Sequence, residues 1–176
     1  MAQFDKDEII NLIVSNPTKY MEIKSQYDEL DLSEMDFSGL NLSRVDFSNA
    51  DLSGSLFSEC NLSEANFVNC DLTSADFTRA NCEECDFSES LLNGTDFSYT
   101  TLHFCTFTET DMAGCIFHEA DLTDSDFSAS ENLQACRFDE ETIWPDEDKL
   151  PDEFDASYIK DLALAGDDEG DTIGDY

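Results

Sequence analysis

Positively charged side chains are scarce in this sequence: 8 Lys and Arg stand against 42 Asp and Glu, and the formal net charge is -34. Contacts to nucleic-acid phosphates are made by Lys and Arg, so we expect no direct binding of DNA or RNA. A surface this acidic repels anionic membranes and attracts basic protein surfaces, which belong mostly to proteins that handle nucleic acid. The expected partner is therefore a basic protein surface, with DNA-binding proteins among the candidates, and neither nucleic acid nor membrane.

Long apolar runs are missing as well. The apolar stretch at residues 9–14 is interrupted by Asn11, and no segment approaches the roughly 20 apolar residues of a membrane span. Residues 1–6 lack the cationic region of a signal peptide. The 7 cysteines are an odd number, which argues against a secreted disulfide framework. These features predict a cytoplasmic protein with free thiols.

Motifs for catalysis and for metal binding are also absent. There is no Ser-His-Asp order, no Gly-rich phosphate loop and no HExxH sequence. Cys82 and Cys85 form a single Cys-x-x-Cys without a second pair, and the repeat described next places both in the interior. His103 and His118 are expected to be exposed on different sides of the coil, too far apart for a shared metal. We expect no enzyme activity, no cofactor and no metal.

What the sequence does contain is a period of five residues. From Leu32 to Phe127 a large apolar residue stands at every fifth position, and Leu alternates with Phe except where Cys82 and Met112 replace Leu. Neither a helix nor a straight strand keeps a spacing of five on one face, so the chain must turn a corner once per repeat. The side chains predicted to fill the interior are Leu52, Phe57, Leu62, Phe67, Leu72, Phe77, Cys82, Phe87, Phe97, Phe107, Phe117 and Phe127.

A second set of residues supports this interpretation. Two positions before each large residue stands a small one, as at Ala50 and Cys60, and in an extended segment both point inward. The residue between them is usually Asp or Asn and faces outward. With four sides per coil, Phe57 would stack on Phe77, whereas three sides would stack Leu on Phe. The strict alternation therefore favours four sides.

In a four-sided coil, residues twenty positions apart stack on each other, and this brings pairs of cysteines together. Cys85 and Cys105 become neighbours, and so do Cys115 and Cys136 after a shift of one residue. Their Cα atoms would be about 5 Å apart, within disulfide range. In a reducing compartment we expect free thiols.

The pattern Ala-[Asp/Asn]-[Leu/Phe]-x-x, present at residues 50–54, 65–67, 75–77 and 120–122, resembles the pentapeptide-repeat family over residues 30–143. The resemblance implies a right-handed quadrilateral parallel β-helix. The predicted fold is an all-β solenoid of about five to six coils with short α-helical caps. Members of this family that protect DNA gyrase from quinolones resemble duplex DNA and occupy the enzyme's DNA saddle. A rod of five to six coils, as predicted for this chain, is short for spanning that saddle. Most other members have no defined role.

We divide the chain into an N-terminal helical cap (1–29), the β-helix (30–143), a C-terminal cap with a short helix at residues 157–165 (144–165) and an acidic disordered tail (166–176). An acidic cap at residues 5–8 begins the first helix, and Asn16 with Pro17 begins the second. A shift in register after Ala129 predicts a bulged corner at residues 130–131. Trp144 is expected to cover the last coil, and the chain to be a monomer or a dimer through an end cap.

The candidate partner-binding residues are Tyr99, His103, Phe104, Leu91, Glu83 and Glu84. Tyr99, His103 and Phe104 are expected to face outward around one corner, Leu91 replaces an outward Asp, and the two glutamates extend the acidic surface. Exposed aromatic residues in an acidic field are typical of interface anchors. The alternative, which the sequence leaves open, is that the repeat simply tolerates apolar residues at these outward positions.

These observations predict a non-catalytic acidic binding protein that acts through protein–protein interaction as an adaptor or regulator. The alternative is a DNA mimic that occupies a DNA-binding protein such as DNA gyrase or another topoisomerase. Such a mimic would modulate that enzyme or protect it from inhibitors.

Overall fold

The computed structural model describes residues 6–155, and the chain begins there with two helices, α1 (Lys6–Ser15) and α2 (Pro17–Lys24). Asn16 caps α2, since its side chain accepts a hydrogen bond from the Lys19 N–H while Pro17 takes the first helical position. The predicted start of the second helix is thereby confirmed. The predicted helix at 157–165 and tail at 166–176 lie outside the described residues. Among the residues described, no helix is long and apolar enough to cross a membrane.

After α2 the chain winds into coils of four sides. Strand β1 (Leu30–Asp31) pairs in parallel with β2 (Ala50–Asp51), and isolated parallel bridges continue the pattern at a spacing of twenty residues, as in Asn61 with Asn81. A spacing of twenty is four repeats of five, so the four-sided prediction is confirmed. Six coils follow one another, and their first large inward residues are Leu32, Leu52, Leu72, Leu92, Met112 and Leu133.

Outward residues form one column on each side, coil above coil. Side 1 carries Asp31, Asp51, Asp71, Leu91, Asp111 and Glu131. Side 2 carries Asp36, Leu56, Asp76, Asp96, Ile116 and Arg137. Side 3 carries Asn41, Asn61, Asn81, Thr101, Asp121 and Ile143, and side 4 carries Asp46, Asn66, Asp86, Thr106 and Asp126.

Two stacks of phenylalanine rings fill the interior. Along side 2 the rings of Phe57 and Phe77 lie 4.8 Å apart and nearly parallel, and across the interior Phe77 meets Phe67 of side 4 edge-on at 5.6 Å. Stacked and edge-on pairs are the two favourable arrangements of aromatic rings. Every large inward residue from Leu32 to Phe127 is buried. All twelve predicted core residues, Cys82 included, are thereby confirmed.

The small inward residues carry a hydrogen bond that the sequence pattern does not show. The hydroxyl of Thr95 donates to the backbone carbonyl of Leu72, in the coil before it, at 2.8 Å. The same carbonyl also accepts the turn bond from the Ala75 N–H at 2.9 Å. Cysteine serves equally, since the Cys60 thiol donates to a carbonyl 2.9 Å away in the coil below. Ser, Thr and Cys can make this hydrogen bond at the small inward position, whereas Ala, which also occurs there, cannot.

Outward Asp and Asn residues support the turns. The Asp71 carboxylate accepts the backbone N–H of Thr73, two residues on, at 2.9 Å, and Asp76 accepts that of Thr78 at 2.8 Å. Such turns are a known use of Asp and Asn side chains. Much of the negative charge on the outward columns therefore has a structural role.

The last coil departs from the five-residue step. The bulge predicted at residues 130–131 is wrong, because Glu131 still pairs with Asp111 at the regular spacing. The extra residue lies just beyond it, where Asn132 takes a left-handed conformation (φ 61) before a 3-10 helix at Leu133–Ala135. A second extra residue precedes Ile143, whose partner is Asp121.

The coil also continues past residue 143. The Leu122 N–H bonds the Ile143 carbonyl and the Phe127 N–H bonds the Lys149 carbonyl, which puts Trp144 and Leu150 at large inward positions of the sixth coil. Trp144 packs its ring 4.3 Å from that of Phe138. Trp144 thus belongs to the coil that it was predicted to cover.

At the other end, α2 covers the first coil. Tyr20 is buried, and its hydroxyl donates to the Asp46 carbonyl at 3.0 Å. Lys24 reaches the Asp46 carboxylate at 3.0 Å and the Ser48 hydroxyl at 2.9 Å. The helical cap is therefore fixed to the coil by polar contacts as well as by buried apolar side chains.

Candidate partner-binding surface

The four sides differ in charge. Sides 1, 2 and 4 each carry several outward Asp residues, whereas side 3 begins with the uncharged column Asn41, Asn61 and Asn81. The Asn61 side-chain N–H donates to the Asn41 side-chain oxygen at 3.2 Å, a hydrogen bond between two uncharged groups. Side 3 is therefore the surface where like-charge repulsion is weakest.

Tyr99 and Phe104 flank side 3 in the fourth coil. They were predicted to surround one corner, but they occupy two neighbouring corners, with Thr101 between them. Both lie in the left-handed conformation (φ 60 and 58), and their side chains are 45% and 55% exposed. The segment between the corners spans about 10 Å at ~3.3 Å per residue. Two aromatic rings thus stand at the edges of the least acidic side.

All three outward residues have a contact within the chain, and the rings of His103 and Phe104 meet edge-on with their centroids 6.5 Å apart. The Arg79 guanidinium lies over the Tyr99 ring at 4.5 Å, a cation–π contact. His103 Nε2 lies 2.8 Å from the Asp121 carboxylate. Burial raises the pKa of Asp121, but hydrogen bonds from His103 and Thr123 outweigh burial and leave the pKa below its usual value. Asp121 is therefore ionised at neutral pH beside His103.

Phe104 stands between carboxylates. Its corner carries Glu84 in the coil below and Asp124 in the coil above, all three in the left-handed conformation. Backbone bonds fix this order, since the Glu84 N–H donates to the His103 carbonyl at 2.8 Å. Glu83 lies next to Glu84, below His103. We name Tyr99, His103, Phe104, Glu83 and Glu84 the aromatic patch.

Leu91 does not join the aromatic patch. It belongs to the outward column of side 1, between Asp71 and Asp111, on the side opposite to side 3. Leu91 is 48% exposed, so it remains an accessible apolar residue. The four-sided spacing already implied this separation, since residues ten positions apart lie on opposite sides, but the candidate residues were grouped by their type alone.

Sequence reasoning did not find the residues that complete the surroundings of the patch. Arg79 and Asp124 were not among the candidates, although the first contacts Tyr99 and the second stands above Phe104. Both lie twenty residues from an aromatic member of the patch. A coil of four five-residue repeats places residues twenty positions apart next to each other, so the four-sided prediction could have identified both residues as neighbours of the patch.

Comparison with known proteins identifies the repeat. The family profile described as a pentapeptide repeat region matches residues 23–97 and 62–138. This chain belongs to the pentapeptide-repeat family. No curated protein matches the chain in sequence.

Solved pentapeptide-repeat structures resemble this one in fold. Rfr23 from the cyanobacterium Cyanothece 51142 is 17% identical, and the alignment covers 74% of this chain and 98% of that chain at a TM-score of 0.54. The predicted all-β solenoid with right-handed coils and short helical caps is thereby confirmed.

Two further alignments are looser. QnrB1, a plasmid-mediated fluoroquinolone resistance protein, is 16% identical over 79% of this chain and 90% of that chain at a TM-score of 0.29. HetL, involved in heterocyst differentiation regulation in Nostoc sp. strain PCC 7120, is 17% identical over 71% of this chain and 77% of that chain at a TM-score of 0.23.

The thiols of this pentapeptide-repeat interior are poor nucleophiles. All seven cysteines are buried and free. Burial raises the pKa of Cys70 to about 12, and it also raises the pKa of Cys82, Cys105 and Cys115. A thiol must ionise to react or to bind a metal. Within residues 6–155 no group of three or more His, Cys, Asp and Glu side chains is arranged to hold a metal ion.

Proposed function

We propose that this pentapeptide-repeat protein is a non-catalytic cytoplasmic adaptor or regulator whose basic protein partner docks on the aromatic patch. One observation carries the proposal: Tyr99 and Phe104 are exposed aromatic residues at neighbouring corners of side 3, and the acidic residues Glu84 and Asp124 occupy the corner column of Phe104. Tyr is enriched among the residues that dominate binding energy at protein interfaces, and aromatic residues are enriched in interfaces generally.

The backbone at these two corners does not require an aromatic residue. A left-handed conformation costs a residue with a Cβ roughly 1 to 2 kcal/mol, and Gly avoids this cost. Gly takes the equivalent corner position at Gly94 in the same coil and at Gly114 in the next, but most corners carry Glu, Arg, Asn or another residue with a Cβ in the same conformation. Neither Tyr99 nor Phe104 contributes to the buried interior. The fold thus gains little from an aromatic residue at either corner.

The test is a double substitution, Tyr99→Gly with Phe104→Gly, compared with Leu91→Ala. Because Gly suits both corners and neither ring is buried, the melting temperature of the double variant should equal or slightly exceed that of the unaltered protein. Capture of a partner from cell extract should be lost by the double variant and kept by Leu91→Ala, which removes an equally exposed apolar side chain. Equal capture by both variants, or a large loss of stability in the double variant, would contradict the proposal.

DNA mimicry is the second candidate, and the charge density favours it. Residues 30–150 contain 27 Asp and Glu against four Lys and Arg, a net charge of -23. Six coils at ~4.8 Å make a rod of about 29 Å. Duplex DNA of that length carries roughly 17 phosphate charges, one per ~1.7 Å. The rod is therefore at least as negative per unit length as DNA.

A gyrase assay separates the two candidates. A DNA mimic should inhibit supercoiling, or protect gyrase from quinolone-induced cleavage, at micromolar protein and with strong dependence on salt. Absence of both effects would exclude gyrase as the target. In a mimic the Tyr99→Gly, Phe104→Gly variant should retain full effect, because mimicry depends on the distributed charge rather than on two rings.

A further inference from the structure

The aromatic patch contains one ring with a cation over it and one without. Arg79, one coil below Tyr99, lies over the Tyr99 ring at 4.5 Å. At the next corner the residue one coil below Phe104 is Glu84, and the residue one coil above is Asp124. Among the described residues, the pair of Arg79 and Tyr99 is the only cation–π contact. Phe104 thus has carboxylates where Tyr99 has an arginine.

We infer that Phe104 receives an arginine side chain of the partner, its guanidinium stacked on the ring and hydrogen-bonded to Glu84 and Asp124. The inference rests on the proposed docking at the aromatic patch and names the chemistry of the partner. Coils repeat at ~4.8 Å, so the backbone of one acidic residue lies about that distance to each side of the Phe104 backbone along the rod. A planar guanidinium offers its face to the ring and its N–H groups to both carboxylates at once.

The chain's own arginine on this corner is already occupied. Arg44 stands at the foot of the same column and binds Glu64 through two hydrogen bonds, 3.0 and 2.8 Å long. That pair lies below Glu84 and neutralises the lower part of the column. Glu84 and Asp124 consequently remain as the negative charges nearest to Phe104 on this corner.

Leu91 supplies a matched comparison within the same coil. It is exposed to a similar extent, 48% against 55% for Phe104, and it also lies between two carboxylates, those of Asp71 and Asp111. Leu91 has no aromatic ring, and it lies on a side of the coil whereas Phe104 lies at a corner. Net charge alone would attract a basic peptide to both places, whereas a cation–π contact can form only at Phe104.

The experiment titrates the full-length protein with two fluorescent peptides, an acetylated ten-residue repeat of Gly-Arg and the same repeat of Gly-Lys. Arginine stacks on aromatic rings and spans two acceptors better than lysine does. An exposed cation–π contact corresponds to about a two- to fivefold change in affinity. Because lysine can also lie over an aromatic ring, the unaltered protein should bind the arginine peptide more tightly than the lysine peptide by at most about fivefold.

Three variants locate this preference. Phe104→Leu should abolish the difference between the two peptides, Phe104→Tyr should keep it, and Leu91→Ala should leave it unchanged. Since Phe104 is exposed, each variant should melt like the unaltered protein. A preference for arginine that survives in Phe104→Leu would overturn the inference, as would equal binding of both peptides by the unaltered protein.

The outcome is distinguishable from failure of the docking proposal. If partner capture depends on Tyr99 and Phe104 but the peptides bind equally, docking stands and the arginine inference fails. If capture does not depend on those residues while Phe104→Leu removes the arginine preference, the inferred chemistry stands and the docking proposal fails.

Discussion

Replacing Ser90 by Ala should destabilise the protein more than the loss of one small hydroxyl group suggests. The buried Ser90 hydroxyl donates to the Phe67 carbonyl at 2.6 Å and accepts the Cys70 N–H at 3.0 Å. It thereby bridges the two backbone groups that bond each other directly in other turns, such as Leu72 and Ala75. Removing the hydroxyl takes away one donated bond and leaves the Cys70 N–H buried without its acceptor.

The magnitude follows from these two losses. One net hydrogen bond contributes about 1 kcal/mol, and an orphaned buried N–H costs about 1 to 3 kcal/mol, so Ser90→Ala should cost about 2 to 4 kcal/mol. Thr95→Val is the matched control, since the Leu72 carbonyl keeps its turn bond from Ala75 when the Thr95 hydroxyl is removed. It should cost only about 1 kcal/mol.

Urea denaturation followed by far-ultraviolet circular dichroism measures both costs. Thermal melting should show the same order, at about 2 to 4 °C per kcal/mol for a protein of this size. If Ser90→Ala costs no more than Thr95→Val, the turn before Cys70 closes directly once the hydroxyl is gone. The argument that the serine bridges a broken turn would then be refuted.

Two further predictions concern the interior and the helical cap. Phe87 meets four other rings and Phe127 only two, so Phe87→Leu should lower the free energy of unfolding by about 1 to 3 kcal/mol more than Phe127→Leu in the same urea assay. Burial raises the pKa of Asp46, but bonds from Ser48 and Lys24 outweigh it, and the pKa lies below its usual value of 3.8. The ionised group therefore contributes stability that is complete above about pH 4 and lost as pH falls through the lowered pKa. Asp46→Asn should be less stable than the unaltered protein at pH 7, and a difference that does not shrink below pH 4 would contradict this.

Regular spacing made most of the interior predictable. Large residues at every fifth position, with Leu and Phe in alternation, favour four sides over three, and Phe57 does stack on Phe77. The last coil could not be predicted in the same way. Its inward residues follow steps of both five and six, and apolar residues alone do not show where the additional residues lie.

The aromatic patch was predictable in its members but not in its contacts. Tyr99 and Phe104 stand out because this position is usually small or polar in the other repeats. Their different surroundings depend on what stands twenty residues away, Arg79 in one case and Glu84 in the other. The approach of His103 to Asp121 depends in addition on the side-chain rotamer, which spacing does not determine.

The corner residues form regular columns, so two numbers describe the place of any side chain on the surface of this rod. A side chain's place around the rod is set by its position within twenty residues, and its height by the number of the coil, with about 4.8 Å between rungs. Moving the pair Tyr99 and Phe104 to residues 79 and 84 would lower the same arrangement by one rung without rotating it. Recognition sites on such a rod can therefore be shifted or spaced apart by substitution alone, in fixed increments, while the phenylalanine interior stays unchanged.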